Sequence, residues 1–328
     1  MAYFWRTKYN DMLENRKLGA SEIKIAPLIL GTNVFGWTTD EAMAFKLLDY
    51  FTEQGFNAID TADVYSKWVD GHVGGESELA IGKWLKQSGK RDKVVLATKL
   101  GAELAPDKKG LSKKYIISAA EASLKRLNTD YIDLYQSHYD DSETPIEETL
   151  AAYDSLIKAG KIRIIGASNF TPERLEESLQ VSRDNNLPIY QTFQPEYNLY
   201  DRADFEENIR PITSANNLSV ISYFSLASGF LTGKYRSLDD IKDSKRAGFV
   251  EKYFTDRGFN ILNALDNVAA RHETTAGSIA LAWVIQQPGI TAPIASATNI
   301  DQLADLIKAT TITLDHEDIT LLATASSL

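Results

Sequence analysis

The stretch IDLYQSHYDDSETPIEETLAAYDSLIKAGKIRIIG, residues 132–166, decides the fold. It opens on an apolar run, 132–136, and closes on another, 162–166. Between them, residues 145–159 carry helical signals: a proline suited to a first turn, and Gly160 as the stop. A strand, a returning helix and the next strand take about 30 residues. The same interval recurs outward in both directions. Apolar runs at 28–30, 58–60, 94–98, 132–136, 162–166, 190–193 and 220–224 start 28–38 residues apart, and an eighth lies at 291–294. Several lack polar alternation, as strands covered on both faces do.

The intervening segments read as helices. Thr38, Thr39, Asp40 and Glu41 open 42–54, which Gly55 closes. Residues 76–87 set Leu79, Ile81, Trp84 and Leu85 on one side, and 112–127 carry the stripe Ile116, Ala119, Ala120, Leu124, Leu127. Thr171 and Pro172 start another helix, 259–287 reads as helix, and 300–309 is the last of the series. Eight strands alternating with helices predict an α/β fold, the (β/α)8 TIM barrel. A hairpin over 16–26, turning at 19–22, caps its floor, and a C-terminal helical extension follows. Residues 235–258 are polar and contain glycine, so a surface excursion is expected there. Residues 1–15 fit no element and are expected to be a loosely attached extension. Residues 16–328 show no break in composition, and one domain is expected.

Composition excludes several functions. The 328-residue chain is 44% hydrophobic and 24% charged, ordinary for a globular protein, with net charge −10. An acidic chain without a basic cluster is a poor phosphate-backbone binder, so nucleic acid is not expected as a partner. The absence of cysteine removes disulfides, thiolate nucleophiles and cysteine metal sites. His72, His272 and His316 make no metal-ligand spacing, and no metal is expected. The N-terminus has no apolar signal core and nowhere do 18 apolar residues run together, so a soluble cytoplasmic protein with no membrane partner is expected.

In a parallel barrel the chemistry gathers where strands end. Strands ending near 60, 99 and 136 deliver Asp60, Tyr65, Lys99 and His138 to one rim. Alone, an aspartate there is often a turn residue, a buried lysine an ion-pair partner, a histidine or tyrosine a packing residue. Together they make an acid. A phenol has a pKa of about 10, too weak to protonate an alkoxide readily; a nearby ammonium stabilises phenolate and a carboxylate anchors the ammonium. An imidazole orients a carbonyl oxygen. This set suits carbonyl reduction rather than acyl transfer, which needs an activated Ser or Cys.

RKLG (16–19), LGT (30–32), DTADVYS (60–66), GESE (75–78), ATK (97–99), GASN (166–169), QPEYN (194–198) and LTGKY (231–235) together resemble the aldo-keto reductase superfamily, over about residues 16–309. The resemblance implies a catalytic tetrad of Asp60, Tyr65, Lys99 and His138. It also implies NADPH, with NADH less strongly excluded, lying extended across the barrel mouth; no G-x-G-x-x-G follows a strand. Residue by residue it implies cofactor contacts from Thr32; from Ser168, Asn169 and Gln191 at the carboxamide; from Tyr223, stacking on nicotinamide; from Ser225, Leu226, Gly229 and Lys234 at the pyrophosphate; and from Ser296, Thr298 and Gln302 near the adenosine. No basic residue lies between Arg271 and Lys308, so a 2′-phosphate would rest on backbone amides and hydroxyls.

Trp37, Val64, Trp68, Tyr139 and Phe170 are expected to line an apolar mouth for a small-molecule carbonyl substrate. The expected activity is hydride transfer to an aldehyde or ketone, with Tyr65 as general acid. The alternative within the same resemblance is a nicotinamide-nucleotide-binding, redox-sensing regulatory subunit, as potassium-channel β subunits share the fold and tetrad. An aldolase using Lys99 as a Schiff-base amine is the remaining rival.

Overall fold

A computed structural model describes residues 14–242 and 244–327; residues 1–13, most of the expected N-terminal extension, lie outside them. Strands β3 (Ile29–Gly31), β4 (Ala58–Asp60), β5 (Val95–Leu100), β6 (Ile132–Ser137), β7 (Ile162–Ser168), β8 (Thr192–Gln194), β9 (Ser219–Ser222) and β10 (Ile290–Ala295) pair in parallel in that order. β10 closes on β3, so the eight strands form a barrel. Each lies at an apolar run of the sequence. The hairpin is β1 (Arg16–Lys17) against β2 (Lys24–Ile25).

Two apolar layers hold the barrel. Inside, Leu18, Ile23 and Ile25 of the hairpin pack on Ile29, Ala58, Ala97, Leu134, Ile221, Ala292 and Ile294 and plug the floor. The Arg16 guanidinium locks this plug by donating to the Ile285, Ile290 and Thr291 carbonyls. Gly19 is required there: its φ is +56°, and a Cβ would stand 2.6 Å from Gln191 Oε1. Outside, the strands' other faces pack on the helices.

The helices are α1 (Glu41–Glu53), α2 (Glu76–Ser88), α3 (Lys113–Leu127), α4 (Ile146–Lys158), α5 (Pro172–Asp184), α6 (Arg210–Ala215), α7 (Ala247–Val250), α8 (Asp256–Arg271), α9 (Ala276–Ile285), α10 (Ile300–Ala309) and α11 (His316–Ala325). Asp40, Ser112, Thr171 and Asn299 cap α1, α3, α5 and α10 through their side chains. Several expectations are corrected. Pro145 is the residue before α4, with extended ψ, rather than its first turn. Leu79 faces outward and Ala80 replaces it on the buried stripe. The helix expected over 259–287 is two, broken at Glu273, whose φ is +49°, and restarted by the Thr275 cap; α9 is buried on every side, so its periodicity hides the break. The helix at 300–309 is followed by α11. The excursion at 235–258 also reaches inward, burying Tyr235, Ile241, Val250 and Tyr253.

Gly82 marks a close contact between α2 and α3. A Cβ there would lie 2.1 Å from the Arg126 carbonyl oxygen of α3. Alanine would gain about 1 kcal/mol of helix propensity but overpack backbone that has no rotamer to yield, typically about 1–3 kcal/mol. Gly82→Ala is therefore expected to lower the melting temperature; a rise in a thermal scan would contradict this packing.

Candidate active site

The inner faces of the strands place the site. Side chains alternate with period two, and Ala58, Ala97, Leu134 and Thr192 are followed two residues on by Asp60, Lys99, Gln136 and Gln194. One layer nearer the C-terminal ends, the barrel interior thus changes from mostly apolar to polar. Lys99 is fully buried and Asp60 is 1% exposed. The ammonium donates to Asp60 Oδ1 at 2.6 Å, to the Thr61 carbonyl at 2.8 Å and to Tyr65 Oη at 2.8 Å. Gln136 and Gln194 each donate to Asp60 Oδ2 at 3.3 Å. The His138 ring lies 6.1 Å from the Tyr65 ring, nearly perpendicular to it. All four expected side chains converge.

Their protonation follows from burial. Burial, then Lys99, holds the His138 imidazolium well below its ordinary value, so the ring is neutral. Burial, then Asp60, pushes the Tyr65 phenol well above its ordinary value. This corrects the expectation that Lys99 makes the free phenol more acidic: its charge is already matched by Asp60. The phenol stays protonated at neutral pH, the form a proton donor needs. Burial also pulls the Lys99 ammonium down, and Asp60 opposes it. Three acceptors occupy the three N–H bonds of an ammonium, a poor state for a Schiff-base nucleophile.

Beside this cluster, Asn169 sits at φ +56° just past β7. It donates to the His138 carbonyl and to Ser168 Oγ, and accepts from the Tyr223 hydroxyl at 2.8 Å. Ser168 donates to the Gln194 carbonyl. Gln191 is a correction: it precedes β8 at the barrel floor, where its side-chain carbonyl accepts from the Ala20 amide. Gln194, three residues on, is the glutamine that reaches the mouth. Thr32 is buried, donating to the Asp60 carbonyl and accepting from Ser77, which ties β3 to β4.

The segment after β9 is strained: Phe224, Ala227 and Ser228 have φ near +50°, and Gly229 follows at +97°. Left-handed non-glycine residues cost roughly 1–2 kcal/mol each, and such backbone forms anion-binding concavities. The buried Ser225 hydroxyl is held at Ser222, and Leu226 is half-buried. Lys234 Nζ lies 3.5 Å from where a Gly229 Cβ would stand, and 4.8 Å from the Tyr235 ring. Arg246, absent from the expected set, donates to the Ser228 carbonyl at 3.4 Å and lies 5.8 Å from the Trp37 ring. Neither cation has a carboxylate partner among the described residues. Across the barrel, Ser296 donates to Asn33, and the Thr298 amide and hydroxyl both donate to Gln302 Oε1 at the start of α10.

At the rim, Trp37 and Trp68 meet edge to face, Trp68 meets Tyr65, and Tyr139 stacks on His138. Val64 is half-buried on the same loop as Tyr65. Phe170 is corrected: it is buried between barrel and helices, edge-on to Tyr190. Phe224 and Phe249, both exposed and 6.5 Å apart, join the aromatic surface instead.

A closed parallel barrel with a Lys-Asp-Tyr-His cluster at the C-terminal ends of its strands defines the class: a barrel oxidoreductase. Residues 27–326 match the family model described as the aldo/keto reductase family, and the chain belongs to that family. It is 35% identical over 318 residues to an uncharacterized oxidoreductase of Bacillus subtilis (strain 168), YrpG, covering 94% of this chain and 95% of that one. It is also 35% identical over 318 residues to the aldo-keto reductase YhdN of the same organism, covering 93% and 91%. A probable voltage-gated potassium channel subunit beta of Oryza sativa subsp. japonica is 32% identical over 308 residues, covering 90% and 91%. No helix among the described residues is long and apolar enough to cross a membrane.

Proposed function

We propose that the chain reduces aldehydes or ketones to alcohols with a nicotinamide nucleotide, Tyr65 being the general acid. One observation carries this: the Lys99 ammonium touches Asp60 at 2.6 Å and Tyr65 Oη at 2.8 Å beside a neutral imidazole. A dihydronicotinamide, when bound, supplies the hydride. Tyr65 holds the proton the product oxygen takes, and His138 offers an N–H that orients the carbonyl oxygen. Lys99 stabilises the phenolate left behind, while Asp60, steadied by Gln136 and Gln194, keeps Lys99 in place. The aromatic rim excludes water and favours apolar carbonyl compounds over highly charged ones. We read residues 16–328 as one domain serving this site.

The residues present fit the cofactor. Ser168, Asn169 and Gln194 offer donors and acceptors for a carboxamide, and Tyr223 a ring for the nicotinamide face. The left-handed backbone at 227–229 with Lys234 and Arg246 suits a pyrophosphate. Ser296, Thr298, Gln302 and the N-terminus of α10 suit the adenosine phosphate. We favour NADPH, with weaker discrimination against NADH because that end carries no cation. Fluorescence titration with both nucleotides, then an aldehyde panel, tests the reading; turnover with no aldehyde or ketone would end it. Arg246→Ala is expected to weaken nucleotide binding about ten- to a hundredfold, the worth of a hydrogen bond to a charged group. An unchanged titration would remove Arg246 from the cofactor site.

The channel-subunit relative favours a second reading, a nucleotide-binding redox sensor. Steady-state rates separate the two: a sensor binds NADPH but cycles slowly at saturating aldehyde.

A further inference from the structure

Asp63 lies on the loop between Asp60 and Tyr65 but has no part in the proton transfer described above. Its amide donates to the Lys99 carbonyl at 3.1 Å, which ties it to the strand carrying Lys99. Its side chain is 1% exposed. Among the described residues neither carboxyl oxygen meets a hydrogen-bond partner, although the Val64 amide approaches it. The buried hydroxyls of Tyr115 and Tyr135, both of which feel its charge, are unpartnered among the described residues as well.

The charged and titratable groups around it come from every packed element: Glu78 on α2, Arg126 and Tyr115 on α3, Lys99 on β5, Tyr135 on β6 and Tyr153 on α4. The Arg126 guanidinium is already held by Glu78 at 2.5 Å, and Glu78 also accepts from Thr98 at 2.6 Å. Lys99 is held by Asp60. A charged Asp63 would therefore be buried beside another carboxylate, with both nearby cations already paired. Burial, then Glu78, pushes its carboxyl up to about 8.

We propose that Asp63 is a positioning residue that acts on Tyr65 through Lys99: it carries a proton while the site works, and its ionisation adds a further negative charge to those that act on Lys99 and makes Tyr65 a weaker acid. This rests on the reductase reading. With Asp63 neutral, Lys99 answers Asp60 and, less strongly, the Arg126-paired Glu78, and has field left for the phenolate that forms. When Asp63 releases its proton to solvent, that field is shared, and proton donation to the product oxygen becomes harder. Reduction slows as pH rises through the Asp63 transition.

The test has a cofactor-free arm and a kinetic arm. Infrared spectra of the full chain carrying ¹³C-aspartate should show a protonated-carboxyl band that fades as pH passes about 8. The band should be missing in Asp63→Asn, and Lys99→Met should move its fading to higher pH, since the ammonium favours the carboxylate. A wild-type protein without the band, or a midpoint indifferent to Lys99, overturns the proposal. In single-turnover reduction, the wild-type rate should fall roughly three- to tenfold from one unit below to one unit above that midpoint. In Asp63→Asn the ratio of those two rates should stay near one; the same fall in both overturns the proposal. If no carbonyl compound is reduced at all, the reductase reading fails, while the infrared arm still decides whether Asp63 holds a proton coupled to Lys99.

Discussion

Tyr65→Phe is expected to lower single-turnover carbonyl reduction by roughly 10²–10⁴-fold, the worth of a positioned general acid, while leaving the NADPH titration unchanged. Phenylalanine keeps the ring against Trp68 and His138 and deletes only the hydroxyl that Lys99 touches. Asp60 and Thr61 still hold the ammonium, so the barrel interior keeps its charge balance. The loss should appear in the chemical step rather than in nucleotide affinity. A Tyr65→Phe protein that reduces aldehydes at the wild-type rate would show that the proton comes from elsewhere.

The other large effect is expected from Lys99→Met, and it falls on stability as well as on rate. Methionine approximates the stem but leaves Asp60, 1% exposed, as a buried charge without its cation. Breaking a buried pair from one side costs about 3–5 kcal/mol, because the remaining charge is uncompensated. Replacing both members costs less, since no charge is left. Urea unfolding should therefore show a large loss in Lys99→Met and partial recovery in the Asp60→Asn/Lys99→Met double variant. Reduction should be lost in both, as neither stabilises phenolate. A single variant as stable as the parent would mean that the pair is not the buried ion pair described. Recovery of turnover in the double variant would contradict the role given to Lys99.

The strand periodicity carried the barrel because each strand is covered on both faces and each crossover needs about the same length of chain. The tetrad was legible for the same reason: Asp60, Lys99 and His138 stand at or just past apolar runs. What the sequence hid were contacts that alternation along a strand decides. Gln191 and Gln194 lie three residues apart, yet Gln191 stands just before β8 at the floor and Gln194 ends β8 at the mouth; placing β8 at 192–194 rather than 190–193 separates them. Phe170, one residue beyond Asn169, turns into the layer under the helices because Asn169 adopts a left-handed conformation that redirects the chain. Arg246 was hidden in a polar stretch whose composition resembles any surface loop; only its partners, the Ser228 carbonyl and the half-buried Trp37 ring, distinguish it. The direction of the Tyr65 shift was hidden too, since counting one ammonium near a phenol omits the carboxylate that already claims it.

The central claim is that a protonated phenol, backed by a buried ammonium, faces a nicotinamide at the mouth of this barrel. A crystal structure of the chain grown with NADP⁺ and a carbonyl inhibitor tests it most directly. The account predicts the nicotinamide against the Tyr223 ring, its carboxamide at Asn169 and Gln194, and the inhibitor oxygen within hydrogen-bond reach of both Tyr65 Oη and His138. A dinucleotide seated away from Tyr65, with the inhibitor oxygen touching neither side chain, would contradict it.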